Sequence, residues 1–486
     1  MRLIADVKNA NAVLQWDQET GLPPKGAFFR GQQISTLSEI SHKLFSEEEL
    51  GNLLEQLLQK EDLTPGQKRN VERTHEDYTR NKKYTSEFVR ALSEQINKAF
   101  HSWIEARKKN DFRVFEKDLD ALVALKKQET EILGYEVHPY NALLDEFEKG
   151  ATVSLIDKTF TNLLPALEEI LKKIMNRPQV DDSFLKQLFP KDRQWSWGME
   201  LVRHLNFDFE AGRQDISEHP FSTSFNCRDV RITTRIDEND FGNMTWSCIH
   251  ETGHGLYEQG LPEEEYGLPL GEACSYSIHE SQSRLWENNV GRSRSFWKHF
   301  YPLLQGYFPE QLNKIGLDDF YKGINQVSPS LVRTEADEIT YHFHVFIRYE
   351  IEKKLIEGSL KTADIPAYWN EQYQKHLGII VPDDKRGCLQ DVHWSHGSFG
   401  YFPTYSLGSF YAAQFYAVAD KELNGIETSL ENGNTSLLLE WLRTRIHQKG
   451  RFHTSESLCR EVTGEGLEVS YFISYLLQKY DSIYTL

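Results

Sequence analysis

In the run Met244-Thr245-Trp246-Ser247-Cys248-Ile249-His250-Glu251-Thr252-Gly253-His254-Gly255-Leu256-Tyr257, an apolar, charge-poor stretch encloses the pattern H-E-x-x-H. Residues four apart on a helix stack on one face, so the imidazoles of His250 and His254 can reach a single ion. Glu251 falls at the edge of that face, placed to take a proton from a water that a metal activates. A helix apolar on most sides is a buried one. Two imidazoles and a carboxylate inside such a helix need partners, and a metal supplies them. The stretch therefore predicts a buried helix carrying a zinc-type hydrolytic site.

Such a site needs a third protein ligand and an open position for water. Glu263, Glu264 and Glu265 follow the turn signal Leu261-Pro262 and are expected to face water. Glu280 sits inside a helix-length stretch from Glu272 to Asn288, far enough on for a second helix to return beside the first. It is the favoured ligand, with Glu272 as the fallback. His279 should point elsewhere, because adjacent helix positions do not share a face.

The whole chain sets the class. Its 486 residues allow a large core, and no linker, repeat or low-complexity tract interrupts them. One mostly helical domain over 1–486, with room for two helical lobes around a cleft, is expected. Lys plus Arg number 55 against 73 Asp plus Glu, a net charge of −18. That argues against nucleic acid, which requires a basic footprint, and against an anionic membrane surface. No apolar stretch reaches spanning length. Five scattered cysteines without C-x-x-C pairing, and an N-terminus lacking an apolar signal core, read as a reduced, cytoplasmic protein. Cys248 and Cys274, near the proposed site, read as small core residues.

Helical periodicity runs through most of the chain. Phe115, Leu119, Leu122, Val123 and Leu125 recur at three- and four-residue steps, as do Ile339, Phe343, Phe346, Ile347 and Ile351. Residues 31–60, 64–110 and 153–176 follow the same pattern. Between Phe221 and Ile236 the pattern changes: 222–226 and 230–235 alternate and are β-branched, predicting two short strands. Such a ribbon either stabilises the fold or offers an edge to an extended peptide.

Two further segments hold candidate chemistry. Residues 387–405 gather His393, His396, Tyr401, Tyr405 and Trp394 among three glycines, a loop able to donate to an oxyanion or to pack as an aromatic corner. Arg333, just before a long helix, can fork onto a carboxylate or pair with Asp337 one turn on.

Taken together these motifs resemble the carboxypeptidase Taq family of metal-dependent carboxypeptidases. His219-Pro220-Phe221 resembles its H-P-F, Asp229 to Thr233 its D-x-R-x-T, and His250 to His254 its H-E-x-x-H. His279-Glu280-Ser281-Gln282 resembles H-E-S-Q, Val332 to Asp337 resembles V-R-x-x-A-D, Gly387 to Trp394 resembles G-x-x-Q-D-x-H-W, and Trp16 to Thr20 resembles W-D-x-x-T. The resemblance implies a mainly α fold, a large helical metallopeptidase with a deep groove and a small β ribbon, similar to neurolysin and angiotensin-converting enzyme. It implies a homodimer that removes C-terminal residues from peptides with broad specificity. Zinc or cobalt would sit on His250, His254 and Glu280. An Arg would hold the free carboxylate, with Arg333 first and Arg231 second. Tyr401 and Tyr405, unranked, would bind the oxyanion with His393 or His396 nearby. Members carry another helix-sized segment before W-D-x-x-T, whereas 15 residues precede Trp16 here, which predicts a looser lid over the groove.

The expected mechanism makes Glu251 the general base, with Asp229 and Asp337 either orienting the metal-binding imidazoles or serving as plain ion-pair partners. A helical metallo-oligopeptidase that cuts internal bonds is the nearer alternative, and a binding protein with a defunct site the farther one.

Overall fold

Helix starts are written in short polar side chains. Thr85, Thr152, Ser275 and Ser293 each accept a backbone N–H from three residues on, and Asp240 accepts from Gly242. Each cap satisfies a donor that the first helical turn leaves open. The computed structural model describes residues 1–486. Helices hold 69% of them, and no helix is long and apolar enough to cross a membrane.

The periodic stretches form as helices. Arg113–Leu133 buries Phe115, Leu119, Leu122 and Val123 along one stripe, and Tyr341–Glu357 buries Phe343, Ile347 and Ile351. The stretch 31–60 divides into Ala27–Phe45 and Glu48–Leu58, because Glu47 turns extended (φ −61°, ψ 135°). The stretch 64–110 divides likewise into Pro65–Lys82 and Ser86–Lys109, where extended Thr85 caps the second helix. Continuous periodicity conceals such breaks, since one residue with extended ψ ends a helix without disturbing the apolar count.

The chain forms two compact units, each assembled from three segments. The first holds Met1–Thr79, Val180–Gln326 and Gly408–Glu468; the second holds Arg80–Gln179, Val327–Leu407 and Val469–Leu486. A three-stranded sheet belongs to the first unit: β1 (Gly212–Ile216), β2 (Ser222–Asn226) and β3 (Asp229–Thr234), in the order β1-β3-β2. β2 and β3 are the predicted ribbon, antiparallel with Ser222 opposite Ile232. β1 runs parallel to β3, with Gly212 opposite Val230. Its Arg-Gln-Asp centre carries no apolar alternation, so nothing in the sequence marks it as a strand.

The sheet seats the H-E-x-x-H helix, Phe241–Glu258. Val230, Ile232 and Thr234 of β3 are buried, and the Thr234 and Ser247 hydroxyls meet at 2.7 Å. Arg231 alternates to the other side. It pairs with Asp229 at 3.0 Å and lies over the Trp16 ring at 4.3 Å and the Phe225 ring at 4.8 Å. This stack joins W-D-x-x-T to D-x-R-x-T.

Candidate active site

One turn of the helix Phe241–Glu258 separates His250 from His254, whose ring centroids are 4.9 Å apart. The third group arrives because two glycines permit close approach. A Cβ on Gly253 would lie 2.5 Å from the Ser283 Cα, so the helix Tyr276–Arg284 packs backbone to backbone against the motif. A Cβ on Gly408 would lie 2.5 Å from the Glu280 Cγ. Glu280 is thereby held with its Oε2 3.5 Å from His254 Nε2 and 3.8 Å from His250 Nε2. The three ligand atoms lie within 4.8 Å of one another.

The opposite edges of these groups are occupied. His250 Nδ1 meets Glu287 Oε2 at 2.9 Å, and His254 Nδ1 meets His279 Nδ1 at 2.6 Å. Glu280 Oε1 accepts from Arg284 Nε at 2.7 Å. Each of the three therefore turns one atom toward a common point while its other polar atom is satisfied. Glu287 belongs to a buried π-helical segment, Leu285–Gly291, which directly continues the Glu280 helix. Wide turns of this kind are frequent at functional sites, because they re-aim a side chain. Arg284 bridges Glu280 and Glu287, and Arg292 adds a second cation 3.6 Å from Glu287.

The electrostatics match a cation site. Burial opposes charge on Glu280, but Arg284 and the two imidazoles outweigh it and hold the carboxyl well below its usual range. Glu287 is likewise held down to about 2, by Arg284 and His250 against its burial. Burial, before any other cause, lowers His254 to about 4, leaving a neutral imidazole with a free lone pair. Burial would lower His250 too, but Glu280 and Glu287 reverse the direction and raise it. Burial pushes the Glu251 carboxyl up to about 7. Two imidazoles and one ionised carboxylate are the donor set of a hydrolytic zinc centre, so these residues fit a divalent metal.

A second polar cluster lies in the second unit. Asp391 accepts from Arg333 at 2.9 Å and from Arg348 at 2.6 Å. Both guanidiniums are buried, and together they hold the Asp391 carboxyl well below its usual range against burial. One carboxylate facing two guanidiniums leaves a positive excess. The Arg333 guanidinium also lies 4.8 Å from the Tyr405 ring, and Tyr405 Oη meets His393 Nε2 at 3.1 Å. Tyr401 packs 5.1 Å from Tyr405 and 5.6 Å from His393. Burial lowers His393 to about 3, so it is neutral.

Comparison with known proteins gives the family. The family model for carboxypeptidase Taq (M32) metallopeptidases matches residues 1–480. The chain belongs to the carboxypeptidase Taq (M32) family. Carboxypeptidase 1 of Bacillus subtilis is 38% identical over 490 residues, spanning 100% of this chain and 97% of the relative. The M32 carboxypeptidase structure from Deinococcus radiodurans superposes with a TM-score of 0.98 at 36% identity, covering 100% of this chain and 98% of that one. A structure described as that of CHT gives 0.97 at 59% identity, covering 99% and 97%. The protein is thus a metallocarboxypeptidase, a peptide hydrolase, and its family works with a divalent metal.

Against this M32 frame several expectations need correction. Glu272 precedes the helix and pairs with Arg451 at 3.0 Å, apart from the two histidines. His279 stays outside the His250–His254–Glu280 group, as expected, but it is not remote: it stands directly behind His254. Asp229 and Asp337 do not orient the imidazoles. Asp229 is taken by Arg231, and Asp337 accepts from the Ile339 and Thr340 amides in the turn that precedes the helix Tyr341–Glu357. Arg333 pairs with Asp391 rather than with Asp337. His396 is exposed and packs on the Phe100 ring at 4.9 Å, outside the Tyr405–His393 pair. Glu287, Arg284 and Arg348 escaped the sequence reading. A signal existed for Arg348, an arginine among Phe343, Ile347 and Ile351 on a buried helix. None existed for Glu287, because a π turn shifts its face.

Proposed function

We propose that the chain removes C-terminal residues from peptides with broad specificity, as one catalytic domain over 1–486, with His250, His254 and Glu280 holding the metal and Glu251 as general base. The convergence of those three ligand atoms beside a carboxyl poised near neutrality carries the reading. A divalent metal bound there supplies Lewis acidity to the attacking water and the scissile carbonyl. Zinc suits two imidazoles and a carboxylate best, with cobalt as the alternative. Glu251 takes a proton from the water and delivers it to the leaving amine.

The roles in the second cluster rest on the family resemblance and on chemistry. Tyr401 or Tyr405 donates to the oxyanion, with His393 Nε2–H donating to the Tyr405 oxygen and so leaving its O–H for substrate; His396 is the weaker candidate because of its exposure. Arg333 anchors the substrate's free carboxylate, supported by the positive excess around Asp391. Arg231 ranks second, since Asp229 and two aromatic rings already engage it. β2 is an edge strand and suits an extended peptide. A homodimer, and a cytoplasmic location in keeping with five free cysteines, complete the proposal.

Glu251→Gln tests it. Turnover should fall by about 10²–10⁴-fold while bound metal per chain stays at the parent value. Full activity in that variant would remove Glu251 as the base.

A further inference from the structure

The two metal-facing histidines are supported in different ways. His250 gives its Nδ1 to a carboxylate directly, Glu287 Oε2 at 2.9 Å. His254 meets a second imidazole instead, with Nδ1 to Nδ1 at 2.6 Å. That imidazole, His279, continues through its Nε2 to Glu258 Oε1 at 2.7 Å, and Glu258 Oε2 accepts from the Ser224 hydroxyl at 2.5 Å. The His279 ring is wedged between His254, at 4.5 Å, and Tyr257, at 5.4 Å. The chain of contacts runs from the H-E-x-x-H helix through the Glu280 helix and back to strand β2.

With a metal on His254 Nε2, which needs that atom's lone pair, only one placement of protons satisfies every link; a doubly protonated His279 would donate to His254 Nδ1 and force a proton onto Nε2. Glu258 is a carboxylate and already accepts from Ser224, so the nitrogen facing it must donate. His279 therefore carries its proton on Nε2 and presents a lone pair at Nδ1. A contact at 2.6 Å then requires the proton on His254 Nδ1. His254 is left with its lone pair on Nε2, the atom turned toward Glu280. The opposite tautomer would set the His279 Nε2 lone pair against the Glu258 carboxylate at 2.7 Å.

We propose that His279 and Glu258 are positioning residues that act through His254: a two-step relay, anchored by Ser224, that fixes the metal-binding tautomer and ring orientation of His254. The inference rests on the reading of His254 as a metal ligand. It assigns His279 of the H-E-S-Q motif a task distinct from that of its neighbour Glu280. Outer contacts of this kind commonly change metal affinity by about 10–100-fold.

The test uses the full chain stripped of metal, titrated with Zn²⁺ alone against a competing chromogenic chelator. His279→Leu should weaken zinc binding by about 10–100-fold. His279→Asn, whose amide oxygen stands where Nδ1 accepts, should recover most of that loss. Glu258→Ala should weaken binding by about 10-fold, and Glu258→Gln, which keeps an acceptor oxygen, should stay near the parent. With Co²⁺ alone, the visible absorption bands should move in His279→Leu and Glu258→Ala and not in their conservative counterparts. The Glu258 pair carries the same test should His279→Leu not fold. Equal zinc affinity in parent, His279→Leu and Glu258→Ala would overturn the relay and leave the metal site standing. Equal losses in Leu and Asn, or in Ala and Gln, would overturn it too, because volume rather than the acceptor would then matter. A parent chain that binds no zinc would remove the ligand assignment and the relay together.

Discussion

Glu352 shows how a single buried carboxyl sets a pH dependence away from the metal site. It is fully buried and accepts from the Trp394 indole at 2.9 Å, the Gly400 amide at 2.8 Å and the Tyr140 hydroxyl. Burial outweighs these donors and pushes its carboxyl up to about 7 from an ordinary 4.5. The folded state thus binds a proton that the unfolded chain has released. Its contribution is full below about pH 4.5 and is lost as pH rises through about 7. A shift of that size corresponds to at most about 3 kcal/mol. Glu352→Gln should flatten the decline in denaturation midpoint between about pH 5 and 8. A parent curve no steeper than the variant's would contradict this. Glu251 is raised by the same physics.

Among the elements, the site depends on how closely two helices meet. Gly253 is the contact point, so Gly253→Ala should push Tyr276–Arg284 away from the motif helix. We expect a loss of about 1–3 kcal/mol in stability from overpacking, together with weaker metal binding as Glu280 withdraws. Both follow from chemical denaturation and a zinc titration, and parent-like zinc affinity would show that the approach is not what places Glu280. Much of this geometry is legible in the sequence. The four-residue spacing of His250 and His254 places two ligands on one face, and a mid-helix Glu280 needs a partner. The periodic helices and the β2–β3 ribbon read out for the same reason, since their apolar pattern matches a backbone repeat. What resists reading is non-local or non-periodic. The parallel strand β1 has a polar centre. The π-helical segment that brings Glu287 to His250 breaks the 3.6-residue count. The Arg333–Asp391–Arg348 cluster joins residues far apart in sequence.

The whole molecule carries a formal charge of −18 yet concentrates cationic groups where carboxylates need them, at Arg284 against Glu280 and at Arg333 and Arg348 against Asp391. A divalent metal held by the folded His250–His254–Glu280 site in preference to the unfolded chain should stabilise the fold by mass action. At a hundredfold excess over its Kd, zinc should add about 2.7 kcal/mol, seen as a raised thermal midpoint that a chelator reverses. A midpoint indifferent to zinc would place the ion outside the folded site. The decisive measurement is a mass-resolved digest of one peptide, with a free and with an amidated C-terminus, before and after chelation and zinc add-back. The free peptide should shorten one residue at a time from its C-terminal end, the amide should persist, and chelation should stop the ladder until zinc returns. Equal cleavage of both peptides, internal cuts, or undiminished activity in chelator would contradict the account.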